Sequence, residues 1–125
     1  MDESILDSIK KLIGIDEDDT DFDTDITMHI NAMFTVLMQI GVNYGEGYFI
    51  NGSEETWGNY VTEVWNTYSI PPITLLNMIK SWMYLKVKLL FDPPPSSSTA
   101  ESFKRIADEF EWRISIAVDP GKEDK

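Results

Sequence analysis

The stretch Pro72–Phe91, PITLLNMIKSWMYLKVKLLF, constrains this chain more than any other. It is helix-forming, apolar on most of its faces, and stopped by Asp92-Pro93-Pro94-Pro95. A helix of this kind must be covered on most sides, so the remaining elements have to wrap around it. Lys80, Lys86 and Lys88 interrupt it, with asparagine and serine among them, which argues for a buried central helix and against a membrane span. Leu76, Ile79, Met83, Val87 and Leu90 form the stripe expected to be buried, with part of the cover coming from other subunits.

The rest of the chain also reads as helical. Ile5, Leu6, Ile9, Leu12 and Ile13 recur at helical spacing, which predicts a first helix over Ser4–Ile13 that Gly14 ends. The acidic run Asp16–Asp25 reads as a solvated linker, with Asp23 or Asp25 capping a second helix over Asp25–Ile40. Ile26, Ile30, Met33, Leu37 and Ile40 are that helix's apolar stripe and Gly41 its stop. Residues 41–53 are rich in glycine and asparagine and predict a loop, with a short strand at Tyr48–Ile50. Ser53 is the expected cap of a third helix, Glu54–Tyr68, carrying Trp57, Tyr60, Val61, Val64, Trp65 and Tyr68. Pro71 and Pro72 separate it from the central helix. Ser98 and Glu101 have capping-box spacing for a fifth helix over Thr99–Val118. Its apolar side is Phe103, Ile106, Ala107, Phe110, Ile114 and Ala117, and a frayed tail follows at residues 121–125. The expected architecture is one all-α domain over residues 1–125: a small bundle of about five helices with a central apolar helix and a Gly-rich aromatic loop.

Charge and composition remove several function classes. With 22 acids against 10 bases the formal net charge is −12, and no basic stripe exists to neutralise a phosphate backbone, so specific nucleic-acid binding is not expected. There is no cysteine, which removes disulfides and thiolate metal sites. The acidic opening MDESILDSIKK does not read as an export signal. Starting a calcium loop at Asp19 puts Thr24 where the turn glycine belongs and Ile30 where the closing glutamate belongs, so no metal site is predicted. His29, the single histidine, lies at the margin of the second helix's stripe and reads as a structural residue. The glycines match neither phosphate-binding spacing. No catalytic residue and no cofactor is predicted, and the chain is read as not an enzyme.

Aromatics divide into two groups. Trp57, Trp65, Trp82 and Trp112 fall on helices and are expected to pack in the core. Tyr44, Tyr48 and Phe49, with Ile50 beside them, fall in the glycine-rich loop and are the candidate subunit or partner interface, the equal alternative being that they tuck back onto the domain.

The order of these elements resembles the head–tail connector (adaptor) family of long-tailed double-stranded DNA phages. The resemblance rests most on Asp21–Ile26, Glu55–Trp57 and Tyr84–Pro94, and it extends over nearly the whole chain. It implies a structural protein forming a homo-oligomeric ring at the portal vertex, a dodecamer when on the portal, which joins head to tail and extends the DNA channel. The implied partners are the portal protein, a tail or stopper protein, and DNA that passes without specific binding; no membrane is involved. The implied location is the head–tail junction of the virion, with the host cytoplasm during assembly. The alternative reading is a small acidic regulatory module that binds one protein, for instance by mimicking DNA charge. Ring assembly separates the two.

Overall fold

A computed structural model describes residues 2–42, 47–65 and 73–118. Among them lie five helices: α1 (Ile5–Leu12), α2 (Asp23–Gln39), α3 (Trp57–Trp65), α4 (Ile73–Phe91) and α5 (Ser97–Val118). The fold is the small all-α bundle expected from the sequence. Tyr44, Tyr68, the Pro71-Pro72 break and the tail 121–125 lie outside the described residues.

The glycine stops act as local chemistry requires. Gly14 and Gly41 hold φ of +88° and +102°, a region that side chains strongly disfavour. After α1, Ile15 N–H donates to Lys10 O (2.8 Å) and Gly14 N–H to Lys11 O (3.2 Å); after α2, Val42 donates to Leu37 O (2.9 Å) and Gly41 to Met38 O (3.1 Å). Both patterns are Schellman motifs, which satisfy the last helical carbonyls and turn the chain.

Three caps differ from expectation. α3 begins at Trp57, capped by Thr56: Asn59 N–H donates to Thr56 Oγ1 (3.1 Å) while Thr56 N–H donates to Asn59 Oδ1 (2.9 Å). This reciprocal box replaces Ser53, because Glu55 is occupied in accepting from the backbone N–H groups of Asn51 (2.8 Å) and Gly52 (3.4 Å). At α5 the cap is Ser96 rather than Ser98; its Oγ accepts from Thr99 N–H (3.4 Å), and Glu101 pairs instead with Lys104 at 3.7 Å. At α2 the N-cap position is Phe22, without a side-chain cap, because Asp23 is drawn away into an ion pair.

α4 packs against α1, α2 and α5, which makes it the centre of the bundle. Leu76, Ile79, Trp82, Met83 and Val87 are buried, as is the facing stripe Ile26, Ile30, Met33 and Leu37 of α2. From α5 only Ala107 and Ile114 are buried among the apolar side chains, with Phe103 and Phe110 packed at the margin. The burial expected for Leu90, Ile106, Ala117 and Trp112 is not found: all four are exposed. α5 covers one flank of α4, so among the described residues the outer turns of this pair have nothing across from them.

The N-terminal elements are joined by polar contacts. Ser4 and Thr56 form an antiparallel bridge, with Ile5 N–H donating to Glu55 O (3.0 Å) and Trp57 N–H to Glu3 O (3.1 Å). α1 and α3 therefore start side by side. Beneath the bridge, Trp57 Nε1 donates to Ser8 Oγ (2.9 Å), and Ser8 Oγ donates to Ile5 O (2.9 Å). Phe34, Tyr48, Trp57 and Tyr60 stack around this corner with ring centroids 5.0–6.3 Å apart.

Candidate interaction surface

The four residues singled out in the loop do not act together. Tyr44 lies outside the described residues. Tyr48 and Ile50 point inward and are buried, which corrects their placement on the surface, whereas Phe49 between them is 55% exposed. The extended backbone here alternates its side chains, so one residue in two must face out. Two local features fix which one. Gly47 takes φ +89°, and a Cβ there would lie 3.3 Å from Met38 Sδ, so the chain hugs α2 as it turns. Asn31 of α2 then holds the segment in register: its Nδ2 donates to Ile50 O (2.9 Å) and its Oδ1 accepts from Ile50 N–H (2.8 Å). This side-chain amide pairs with the backbone as a neighbouring strand would. No strand forms at Tyr48–Ile50.

Tyr48 enters the aromatic cluster between Phe34 and Tyr60. Burial pushes its phenol up to about 12, and the negative charges of Glu63 and then Glu55 push in the same direction. The segment that displays Phe49 is acidic in its own sequence. Residues 26–65 contain four glutamates and no lysine or arginine.

Charge is unevenly spread over the rest of the chain. Residues 1–25 hold ten acids against two lysines, and residues 73–118 hold five acids against six bases. In the linker, Asp16 and Asp19 accept from the backbone N–H groups of Asp18 (3.5 Å) and Asp21 (3.1 Å), and residues 16–21 are exposed. One lysine has left the surface altogether. Lys10 is 0% exposed; its Nζ donates to Glu17 O (3.1 Å) and lies 2.8 Å from Asp23 Oδ1. That pair ties α1, the linker and α2 into one corner. The sequence signal was present, since Lys10 stands four residues after Leu6 and three before Ile13, on the buried stripe itself.

The α4–α5 pair carries shallow grooves near both ends. One, of ≈ 390 Å³, is lined by Met33, Leu89 and Leu90 with Lys86, Lys104 and Asp108 at its edges. The other, of ≈ 460 Å³, lies under Trp112 between Met78 and Ile116, beside the Arg113–Glu109 ion pair of 2.7 Å. His29 rests edge-on against Phe91 at 6.5 Å. Among the described residues no three His, Asp or Glu side chains converge as a metal would need, and no helix is long and apolar enough to cross a membrane. What this geometry offers is surface for contact: exposed aromatics at Phe22, Phe49 and Trp112, one apolar groove, one mixed groove and an acidic edge.

Over residues 5–121 the sequence matches the profile of a family described as phage connector protein. Comparison with curated proteins and with solved structures gave no match. The chain belongs to the phage connector protein family, a structural and generally non-enzymatic group that acts at the phage head–tail junction with portal and tail components.

Proposed function

We propose that this connector works by assembly: copies close into a ring at the portal vertex, a dodecamer when seated on the portal, and the ring extends the DNA channel towards a tail or stopper protein. The observation that carries this reading is the pairing of a buried central helix with uncovered apolar positions on its hairpin, Leu90, Ile106 and Trp112. Exposed apolar groups grouped on one part of a small protein are surface awaiting a partner. Head-to-tail contacts close a ring when the rotation per subunit matches the symmetry. The densest acids, Asp16–Asp25, are the proposed lining where packaged DNA passes, since like charge lowers adhesion to the phosphate backbone. The chain acts as one domain and has no substrate to turn over.

A net charge of −12 holds free subunits apart until salt or a portal template offsets it. At about 1 M salt the screening length shrinks to roughly 3 Å, so rings should become more abundant. Native mass spectrometry with negative-stain imaging of concentrated protein, from low to high salt, is the test. Only monomers and dimers at every salt, and with portal protein added, would overturn the ring and leave the acidic regulatory module.

A further inference from the structure

We infer that Phe49 of one subunit seats in the groove over Leu89 and Leu90 of the next, between Lys86 and Lys104. The inference rests on the ring reading and names the contact that would build it. Shape is the first argument: Phe49 is an exposed aromatic on a backbone held in register by Asn31, and the groove is an open hollow with a mostly apolar lining. Charge is the second. The segment bearing Phe49, residues 26–65, has four glutamates and no base of its own, with Lys80 reaching over Trp57 from α4, while α4 and α5 hold six of the chain's ten basic residues. Lys86 makes no ion pair among the described residues, and Lys104 has only an exposed 3.7 Å contact with Glu101. Asp108 offsets part of this positive edge and leaves two lysines against one acid.

Placement is the third argument. Phe49 and Met38 both border Gly47, whereas the groove is edged by Met33. Five residues at about 100° each put those two methionines roughly 140° apart around α2, on opposite flanks of the helix. A projection on one flank and its complement on the other cannot pair as a two-fold dimer through the same patch. They generate a heterologous contact that repeats from copy to copy, as a ring needs. Salt acts on this contact in two ways. It weakens the exposed charge pairs, each of small worth, but it weakens the repulsion of two whole subunits more, and it leaves the buried ring of Phe49 unaffected.

The absence of native cysteine makes the test clean. Phe49→Cys and Leu90→Cys are prepared separately, mixed under conditions where wild-type oligomers are seen by native mass spectrometry, and treated with a short bis-maleimide. A cross-linked dimer containing one of each variant is expected, with each variant alone remaining uncross-linked. The double variant should give a ladder that continues past dimer. In parallel, Lys86→Glu with Lys104→Glu should lower oligomer yield at least tenfold, while Lys11→Glu with Arg113→Glu, of identical net charge, should not. Cross-linking of Phe49→Cys to itself, or oligomers without any mixed product, would overturn the contact while the ring reading stands. No wild-type oligomer in any condition would overturn both.

Discussion

The corner built from α1, the linker and α2 and the hairpin of α4 and α5 are held by different forces. The corner is fastened by directional contacts: the Lys10–Asp23 pair, the Lys10–Glu17 hydrogen bond, Trp57 on Ser8, and the Ser4–Thr56 bridge. The hairpin is held by apolar burial along one side of α4 and leaves apolar side chains exposed on the other. Directional contacts fix geometry but give little area to a partner; apolar area is adhesive but weakly directional. The corner thus supplies directional fastening that the hairpin lacks, while apolar side chains stand exposed on both, Leu12, Phe22 and Met28 on the one and Leu90, Ile106 and Trp112 on the other. A subunit that must join neighbours at a fixed angle needs both.

The contrast can be broken most sharply at two tryptophans of the hairpin. Trp82 is fully buried and Trp112 is 54% exposed. Trp82→Ala should cost about 3–5 kcal/mol in denaturant unfolding, the usual loss for a large core side chain. In the corner, Asp23→Ala removes the partner of a buried lysine. It should cost about 2–3 kcal/mol, below the ~3–5 of a fully buried pair because Asp23 is partly exposed, and Lys10→Met should recover much of the loss. An Asp23→Ala variant as stable as wild type would show that the corner is not held by charge.

Tyr48 provides a pH probe of the region between the two. Its folded phenol is raised to about 12 from an ordinary 10, so the folded state keeps its proton where the unfolded chain has lost it. Stability tied to this group is constant below pH 10 and falls as pH rises from 10 towards 12, by roughly 1 kcal/mol at pH 11. Unfolding curves at pH 9 and 11 should show this decline for wild type and a smaller one for Tyr48→Phe. The smallest effect is expected for Leu90→Ser and Trp112→Ala, within about 0.5 kcal/mol on the monomer. Leu90→Ser should nonetheless reduce oligomers, and a large loss of monomer stability would show that the hairpin's outer side is core after all.

The sequence made the helices legible because their stops are local. A glycine in the left-handed region followed by an apolar residue announces a helix end whatever surrounds it, and Gly14 and Gly41 behave that way. Caps were less legible, since several hydroxyls or carboxylates compete at each start and small backbone differences choose among them. Thr56 prevailed over Ser53 and Ser96 over Ser98 by this means. Burial in the hairpin depended on how far α5 reaches around α4, which periodicity does not encode; hence Leu90 and Trp112 fall outside. The loop's outcome turned on Asn31, nineteen residues from its partner Ile50. Nothing local to Tyr48-Phe49-Ile50 tells which of them faces water.

The Ser4–Thr56 bridge, finally, has a consequence for the order in which the molecule can be made. Its two sides are separated by more than forty intervening residues, and both backbone bonds depend on a residue from each side. An emerging nascent chain can coil α1 early and dock it on α2 through Lys10 and Asp23, but the bridge and the Trp57–Ser8 bond must wait until Trp57 has left the ribosome. The last fastening of α1 is therefore a late step, and the loop that the bridge closes adds to the entropic barrier. A ribosome-stalled fragment ending before Glu55 should leave α1 less protected from protease than one extending past Trp65.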